Sequence, residues 1–372
     1  MIALRCAACG RGHALSDLRW RCADCHGVLD LDGFTPVMPA LADLATRRPT
    51  LWRYAGALPI DEPPGITLGE GMTPLVSAPG LAGVALKVDY LMPSGSFKDR
   101  GAVLLAALAA RLGVDRLMAD SSGNAGSAVA AYAARAGIAC DVYVPESTSA
   151  GKVAQLRAYG AAVHRIPGTR EDTAAAAARA AGEPGVFYAS HVYHPFFLHG
   201  TKTYAFELWE QLGGRLPETL VLPVGNGTLV LGAYLGSAEL LDQGLIDRLP
   251  RIVAVQAAGC ALLAAAFHGT PPVPPQGTVA EGIAIARPAR GPQILAAVRA
   301  TGGTIVTVDD AAINAAHASL ARAGLYVEPT SAVCWAAIEA GLLPVAARAD
   351  GRPAVVAPLC GSGLKSKPPA PR

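Results

Sequence analysis

Lysine is scarce in this chain: Lys87, Lys98, Lys152, Lys202, Lys365 and Lys367 are the six among 31 basic residues, and the other 25 are arginine. Charge of any kind is thin. Charged residues make up 16% of the chain, the net charge is +2, and the basic positions are spread out, so no electrostatic footprint for nucleic acid or a membrane surface is present. No apolar run has the roughly 20 residues of a spanning helix; the longest, Val253–Phe267, is shorter and contains Gln256. The opening Met-Ile-Ala-Leu-Arg-Cys lacks the charged-then-apolar layout of a signal peptide. These absences predict a cytoplasmic protein with no nucleic-acid and no membrane partner. With 52% hydrophobic residues the chain is far from the disordered regime, and 372 residues allow two or three domains.

A chain that writes its basic positions as arginine keeps a lysine where a primary amine is wanted. An amine can form a Schiff base with a carbonyl; a guanidinium cannot. Lys98 lies in Pro93-Ser94-Gly95-Ser96-Phe97-Lys98-Asp99-Arg100-Gly101, after a glycine turn and ahead of a predicted helix.

Four of the eight cysteines form Cys6-x2-Cys9 and, twelve residues on, Cys22-x2-Cys25. Two such knuckles can close on one tetrahedral ion, most often zinc, and four protein ligands leave no open position for catalysis. In a chain with no export signal, disulfides are the poorer explanation. His13 and His26 are expected at the surface rather than as ligands. Cys140, Cys260 and Cys334 sit in apolar contexts and read as small core residues.

Residues 1–32 read as a small ribbon with short strands such as Arg19-Trp20-Arg21. From Leu68 onward short apolar runs alternate with alanine-rich helical stretches, the pattern of a parallel sheet covered by helices. Strands are predicted at 84–87, 116–119, 139–144, 163–166, 185–189, 219–223, 251–256, 303–308 and 354–358. Helices are predicted at 99–112, 124–136, 153–159, 172–181, from Gly200 to Leu212, 229–236, 310–323 and 331–341. The tail from Lys365 is expected to be disordered. Ser121-Ser122-Gly123-Asn124 ends one strand and opens a helix, whose free N–H groups and dipole suit an anion, although an ordinary N-cap has the same composition. Val224-Gly225-Asn226-Gly227-Thr228 follows another strand, with glycines that would let backbone N–H groups close on a phosphate.

Taken in order, these segments resemble the cofactor core of the tryptophan-synthase-β-like (fold type II) pyridoxal-phosphate enzymes, nearest to the threonine synthases. Gly69-Glu70-Gly71-Met72-Thr73-Pro74-Leu75 and Glu328-Pro329-Thr330-Ser331-Ala332 fit the same pattern, and some threonine synthases carry a similar N-terminal ribbon. The resemblance implies two three-layer α/β/α domains with mainly parallel sheets. The larger, cofactor-binding domain would take residues 33–83 and 200–372, and the smaller one 84–199. It implies pyridoxal 5′-phosphate and a homodimer.

By the same resemblance, Lys98 is the Schiff-base lysine and Phe97 lies along the ring. Asn124 bonds the phenolic oxygen, Ser121 and Ser122 hold the substrate carboxylate, and Ala125 is a further substrate contact. Val224, Gly225, Asn226, Gly227 and Thr228 form the phosphate loop. In Leu359-Cys360-Gly361-Ser362-Gly363-Leu364-Lys365 either Cys360 or Ser362 faces the pyridine nitrogen, and Cys360 is preferred. A thiol or hydroxyl there leaves a weaker electron sink than a carboxylate would, which favours β-elimination.

One departure bears on the substrate. The family's Asn-Pro-Tyr-Arg-x-x-Gly-Gln-Lys-Thr segment, part of the phosphate grip on phosphohomoserine, corresponds to His194-Pro195-Phe196-Phe197-Leu198-His199-Gly200-Thr201-Lys202-Thr203. Phe197 stands in the arginine position and cannot replace a bidentate guanidinium; Lys202 is retained. The expected activity is therefore a lyase or synthase working by β-elimination or β-replacement on a polar amino acid. One alternative is a threonine synthase that binds the phosphate through Lys202 or Arg170. The other is a zinc-ribbon binding module on an inactive scaffold.

Overall fold

The computed structural model describes residues 2–366, with residues 170 and 171 described by their backbone alone. Of the tail expected to be disordered, residues 367–372 lie outside the described part. Lys365 does not fit that expectation: it ends a short 3-10 helix, Gly363–Lys365, and its amine donates to the Ser94 carbonyl at 2.8 Å.

The ribbon is an antiparallel three-stranded sheet in which β1 (Ala3–Cys6) lies between β2 (Gly12–His13) and β3 (Leu29–Asp32). The expected strand at Arg19–Arg21 is irregular instead. Packing overrides strand propensity there: the Trp20 ring makes T-shaped contacts with Tyr188 and Tyr193, at centroid distances of 4.9 and 5.0 Å, and the Arg21 guanidinium lies 4.4 Å from its centroid.

The remaining strands are β4 (Leu75–Ser77), β5 (Val84–Lys87), β6 (Arg116–Ala119), β7 (Ala139–Pro145), β8 (Ala162–Ile166), β9 (Val186–Tyr188), β10 (Thr219–Pro223), β11 (Arg251–Ala257), β12 (Thr304–Val308) and β13 (Val355–Pro358). They form two sheets, one ordered β12-β11-β10-β13-β5-β4 and the other β8-β7-β6-β9. Every pair is parallel except β4 with β5. The central strands β5, β10 and β13 are buried at every position, as continuous apolar runs in parallel sheets require.

The chain divides into two compact units, Met1–Gly71 with Lys98–Thr201, and Met72–Phe97 with Lys202–Arg372. This differs from the expected partition in two places. β5 pairs with β13 and so belongs with the C-terminal sheet rather than with 99–199. Residues 33–71 group with the N-terminal unit, where Leu51, Trp52, Leu58, Ile60 and Ile66 join the core built on the Asp99–Arg111 helix.

That helix is alanine- and leucine-rich and buried continuously from Asp99 to Ala109, as befits a helix apolar on all sides. The stretch expected as one helix from Gly200 to Leu212 is instead two, Pro195–Thr201 and Thr203–Gln211. Gly200 and Gly101 are the close-approach points of Pro195–Thr201 on Asp99–Arg111. A Cβ on Gly200 would strike the Arg100 carbonyl, and one on Gly101 would enter the Phe197 ring. Overpacking of this kind costs about 1–3 kcal/mol. Gly200→Ala should therefore destabilise the fold by that amount, lowering the denaturant midpoint with an unchanged m-value, read by urea unfolding.

Candidate active site

In the C-terminal unit, three loops leave the carboxyl ends of the neighbouring strands β5, β13 and β10. The first ends at Phe97, whose amide donates to the Cys360 carbonyl at 2.9 Å. Ser96 bridges Gly361, and the Ser362 amide donates to the Gly95 carbonyl at 3.0 Å. Behind this contact lies Glu328-Pro329-Thr330-Ser331. The Glu328 amide donates to the Gly361 carbonyl at 2.9 Å, and the Gly361 amide donates to the Ser331 hydroxyl at 3.0 Å. A Cβ on Gly361 would sit 2.5–2.7 Å from the Glu328 carboxylate, so a larger residue there would have to displace that side chain.

The structure thus brings Phe97 beside Cys360, and both are buried. Ser362 is half-buried, and its hydroxyl accepts from the Leu364 amide at 3.3 Å, so that it caps Gly363–Lys365. Ser331 and Glu328 were read from sequence only as a matching pattern; their part in holding Gly361 is set by tertiary packing.

The third loop follows β10 and opens the helix Thr228–Asp242. Gly227 is its N-cap at φ +75, a left-handed conformation natural to glycine, and a side chain there would collide with Ile294. A Cβ on Gly225 would lie 2.8 Å from the Ile283 Cα. Val224 is held by its amide, which donates to the Val255 carbonyl at 2.9 Å. A glycine-lined turn entering a helix of 15 residues presents amide N–H groups and the positive dipole end together, so it fits a phosphate.

In the N-terminal unit, Lys98 is the N-cap of Asp99–Arg111, and its carbonyl accepts from the Gly101 and Ala102 amides at 3.2 and 3.0 Å. Its amine lies 5.6 Å from the centroid of the Phe197 ring. Phe197, expected among the substrate contacts, is 0% exposed: it lies in the core against Gly101, with its ring centroid 5.9 Å from that of His191. Ser121, Ser122 and Asn124 are half-buried at the carboxyl end of β6 and the start of Asn124–Ala136, and Ala125 is buried. The Gly123 amide donates to the Ser121 hydroxyl at 3.3 Å, and Gly126 is required because a Cβ would strike the Ser121 carbonyl.

Lys202 is not where a substrate contact is expected. It is 0% exposed, and its amine bonds Glu239 at 2.7 Å. Burial pushes this amine down to about 8 although Glu239 opposes the shift, and burial raises the Glu239 carboxyl in turn. Lys87 has a similar setting, 2.7 Å from Glu207 and 2.6 Å from the Thr73 carbonyl, with no exposure.

The four ribbon thiols are gathered as their spacing predicts. All four sulfurs lie within 4.8 Å of one another, with Cys6–Cys25 at 3.4 Å and Cys9–Cys22 at 3.6 Å. Tetrahedral zinc with ~2.3 Å bonds would set these separations near ~3.8 Å, so the donor set fits the ion. Burial opposes ionisation of Cys6, yet the Cys9 and Ala8 amides hold its thiol down to about 6. His13, expected at the surface, is buried; His26 is exposed as expected. Cys140, Cys260 and Cys334 are buried, as their apolar contexts predicted.

Comparison with known proteins identifies the class. The family model described as "Pyridoxal-phosphate dependent enzyme" matches residues 66–361, and the chain belongs to that family. Within it the chain is an amino-acid lyase or synthase. It is 35% identical to the threonine synthase of Methanosarcina acetivorans over 89% of this chain and 85% of that one. It is 38% identical to that of Mycobacterium tuberculosis strain H37Rv, over 84% and 87%. Among solved structures, a threonine deaminase from T.th. matches with a TM-score of 0.64 and 27% identity, over 81% of this chain and 94% of that one. Maize serine racemase shares the fold at a TM-score of 0.68 and 23% identity, over 78% and 88%.

Breaking a buried ion pair by removing one partner costs about 3–5 kcal/mol, whereas replacing both by apolar groups is close to neutral. Lys202→Met alone should lose that much stability, and Lys202→Met with Glu239→Leu should recover most of it. Calorimetric unfolding of the two variants checks this.

Proposed function

We propose that the protein eliminates or replaces the β-substituent of a polar amino acid that carries no distal phosphate. The observation that carries this reading is Phe197, a buried phenyl ring beside the Lys98 amine in the position where the resemblance would have a phosphate-binding arginine. Pyridoxal phosphate, when bound, supplies an electron sink for the pair released as the Cα proton leaves. Lys98 binds the cofactor through its amine and afterwards moves the Cα proton. Gly225, Asn226, Gly227 and Thr228, with Val224, hold the 5′-phosphate through backbone N–H groups. Asn124 bonds the phenolic oxygen, and Phe97 lies along the ring. Ser121 and Ser122 receive the substrate carboxylate at the helix start, with Ala125 as a further substrate contact. Cys360, buried and fixed through its carbonyl, faces the pyridine nitrogen, while the Ser362 hydroxyl is engaged as a cap.

Each sheet is sandwiched between helices as a three-layer domain, and the functional form is a cytoplasmic homodimer with a structural zinc held by Cys6, Cys9, Cys22 and Cys25. The identity to threonine synthases favours a second reading, elimination of the γ-phosphate of O-phosphohomoserine and hydration to threonine. With Phe197 and Lys202 both buried and Lys202 paired to Glu239, neither is free to grip that phosphate. The side chain of Arg170 lies outside the described part.

Purified holoprotein should release keto acid or a substituted product from β-substituted amino acids and make little threonine from O-phosphohomoserine. Efficient threonine formation would establish the second reading instead. Lys98→Ala should lower turnover by at least ~10²-fold, the smaller end of what a positioned acid or base contributes, while the protein remains folded. Elemental analysis should find one zinc per chain, lost in Cys22→Ser together with a lower melting temperature.

A further inference from the structure

The functional loops of the C-terminal unit all lie at the carboxyl edge of its parallel sheet. The opposite edge carries a feature with no part in that chemistry. Segments 212–218, 245–250 and 348–353 run into the amino ends of β10, β11 and β13, which are neighbours in the sheet, and together they line a cavity of about 410 Å³. That volume lies within the usual range of small-molecule sites, roughly 300–1,000 Å³.

Its walls combine two chemistries. Leucines and prolines such as Leu216, Leu249 and Pro250 give it apolar surface. Four arginines, Arg215, Arg248, Arg348 and Arg352, also line it, against the carboxylates Glu218 and Asp247. Arg348 is already neutralised, by Glu218 and by Asp350 at 3.1 Å. Arg215 and Arg248 make neither a side-chain hydrogen bond nor an ion pair with any described residue. Arg352 is half-buried, and its Nη1 is enclosed yet meets no acceptor among the described residues. Guanidinium forks match the planar or tetrahedral oxygens of carboxylate and phosphate groups.

We propose that this cavity is a second ligand site that takes a small organic oxyanion with an apolar body, about the size of a nucleoside monophosphate. The oxyanion would sit on Arg215, Arg248 and Arg352, and the apolar body against the leucine and proline wall. The strands it abuts end at Pro223 and Pro358, shortly before the glycine loop and Cys360, so an occupant bears on the sheet from the end remote from those loops.

Isothermal titration of the cofactor-loaded protein tests this. AMP serves as the phosphate probe, N-benzoylglycine as the carboxylate probe and adenosine as the uncharged control. One saturable site per chain for AMP or for N-benzoylglycine, with none for adenosine, is the expected result. Whichever probe binds identifies the oxyanion. Arg248→Gln and Arg352→Gln should each weaken binding by at least ~10-fold, as loss of a charge-assisted pair implies, with cofactor content unchanged. Arg215 and Arg248 are exposed, so Arg215→Gln and Arg248→Gln keep the test informative should Arg352→Gln fold poorly. Absence of binding by both oxyanions, or binding that Arg215→Gln and Arg248→Gln leave unaltered, overturns the proposal.

Discussion

The contact between the chain at Gly95–Phe97 and the chain at Cys360–Ser362 is the constraint on which the candidate site depends. The Phe97 amide on the Cys360 carbonyl and the Ser362 amide on the Gly95 carbonyl lock two loops that are far apart in sequence. Gly361 lies between them, gripped by Ser331 and crowded by Glu328, so neither loop can shift without disturbing the other. The residue after Phe97 is Lys98, where the chain passes into the N-terminal unit and begins a helix. The Lys98 amine therefore belongs to the residue one peptide bond beyond a hydrogen-bonded anchor. Such an anchor gives a residue the positional accuracy that a catalytic role would need.

A second junction is built by buried polar groups. Glu70 has no exposure and accepts from Trp52 at 2.8 Å, Thr67 at 3.0 Å, the Leu68 amide at 2.8 Å and Tyr132 at 3.0 Å. Burial, then Asp99, then Glu70 raise the Tyr132 hydroxyl well above its ordinary range, which keeps it a donor. Three residues on, in the other unit, Thr73 donates to Asp89 at 2.6 Å, and its carbonyl receives the Lys87 amine. The segment Gly69–Pro74 is thus tied down on either side of the point where the chain changes unit, and the buried charges that meet it have partners.

Much of this was legible beforehand. Strand and helix positions followed from apolar runs bounded by glycine, because parallel strands buried on both faces leave that mark. The thiol knuckles could be found because they are a local pattern. What escaped was non-local. Nothing near Trp20 says that two tyrosines far along the chain will pull it out of a strand. Lys202 reads as a substrate contact until Glu239, 37 residues later, is seen beside it. The assignment of β5 to the C-terminal sheet depends on β13, which lies near the other end of the chain. Phe197 was noticed for the arginine it lacks, but its burial depends on the glycine of a neighbouring helix.

The scarcity of lysine takes on a different meaning once the partners are known. Lys87 and Lys202 are sealed against glutamates, and Lys365 is spent on a carbonyl, so rarity alone does not mark a lysine as reactive. It does thin the background for anyone labelling the chain. An amine-selective reagent meets no solvent access at Lys87 or Lys202 and partial access at Lys98, Lys152 and Lys365 among the described residues. Protection of a single amine by an occupant could therefore be followed by peptide mass mapping in a protein otherwise dressed in guanidinium groups.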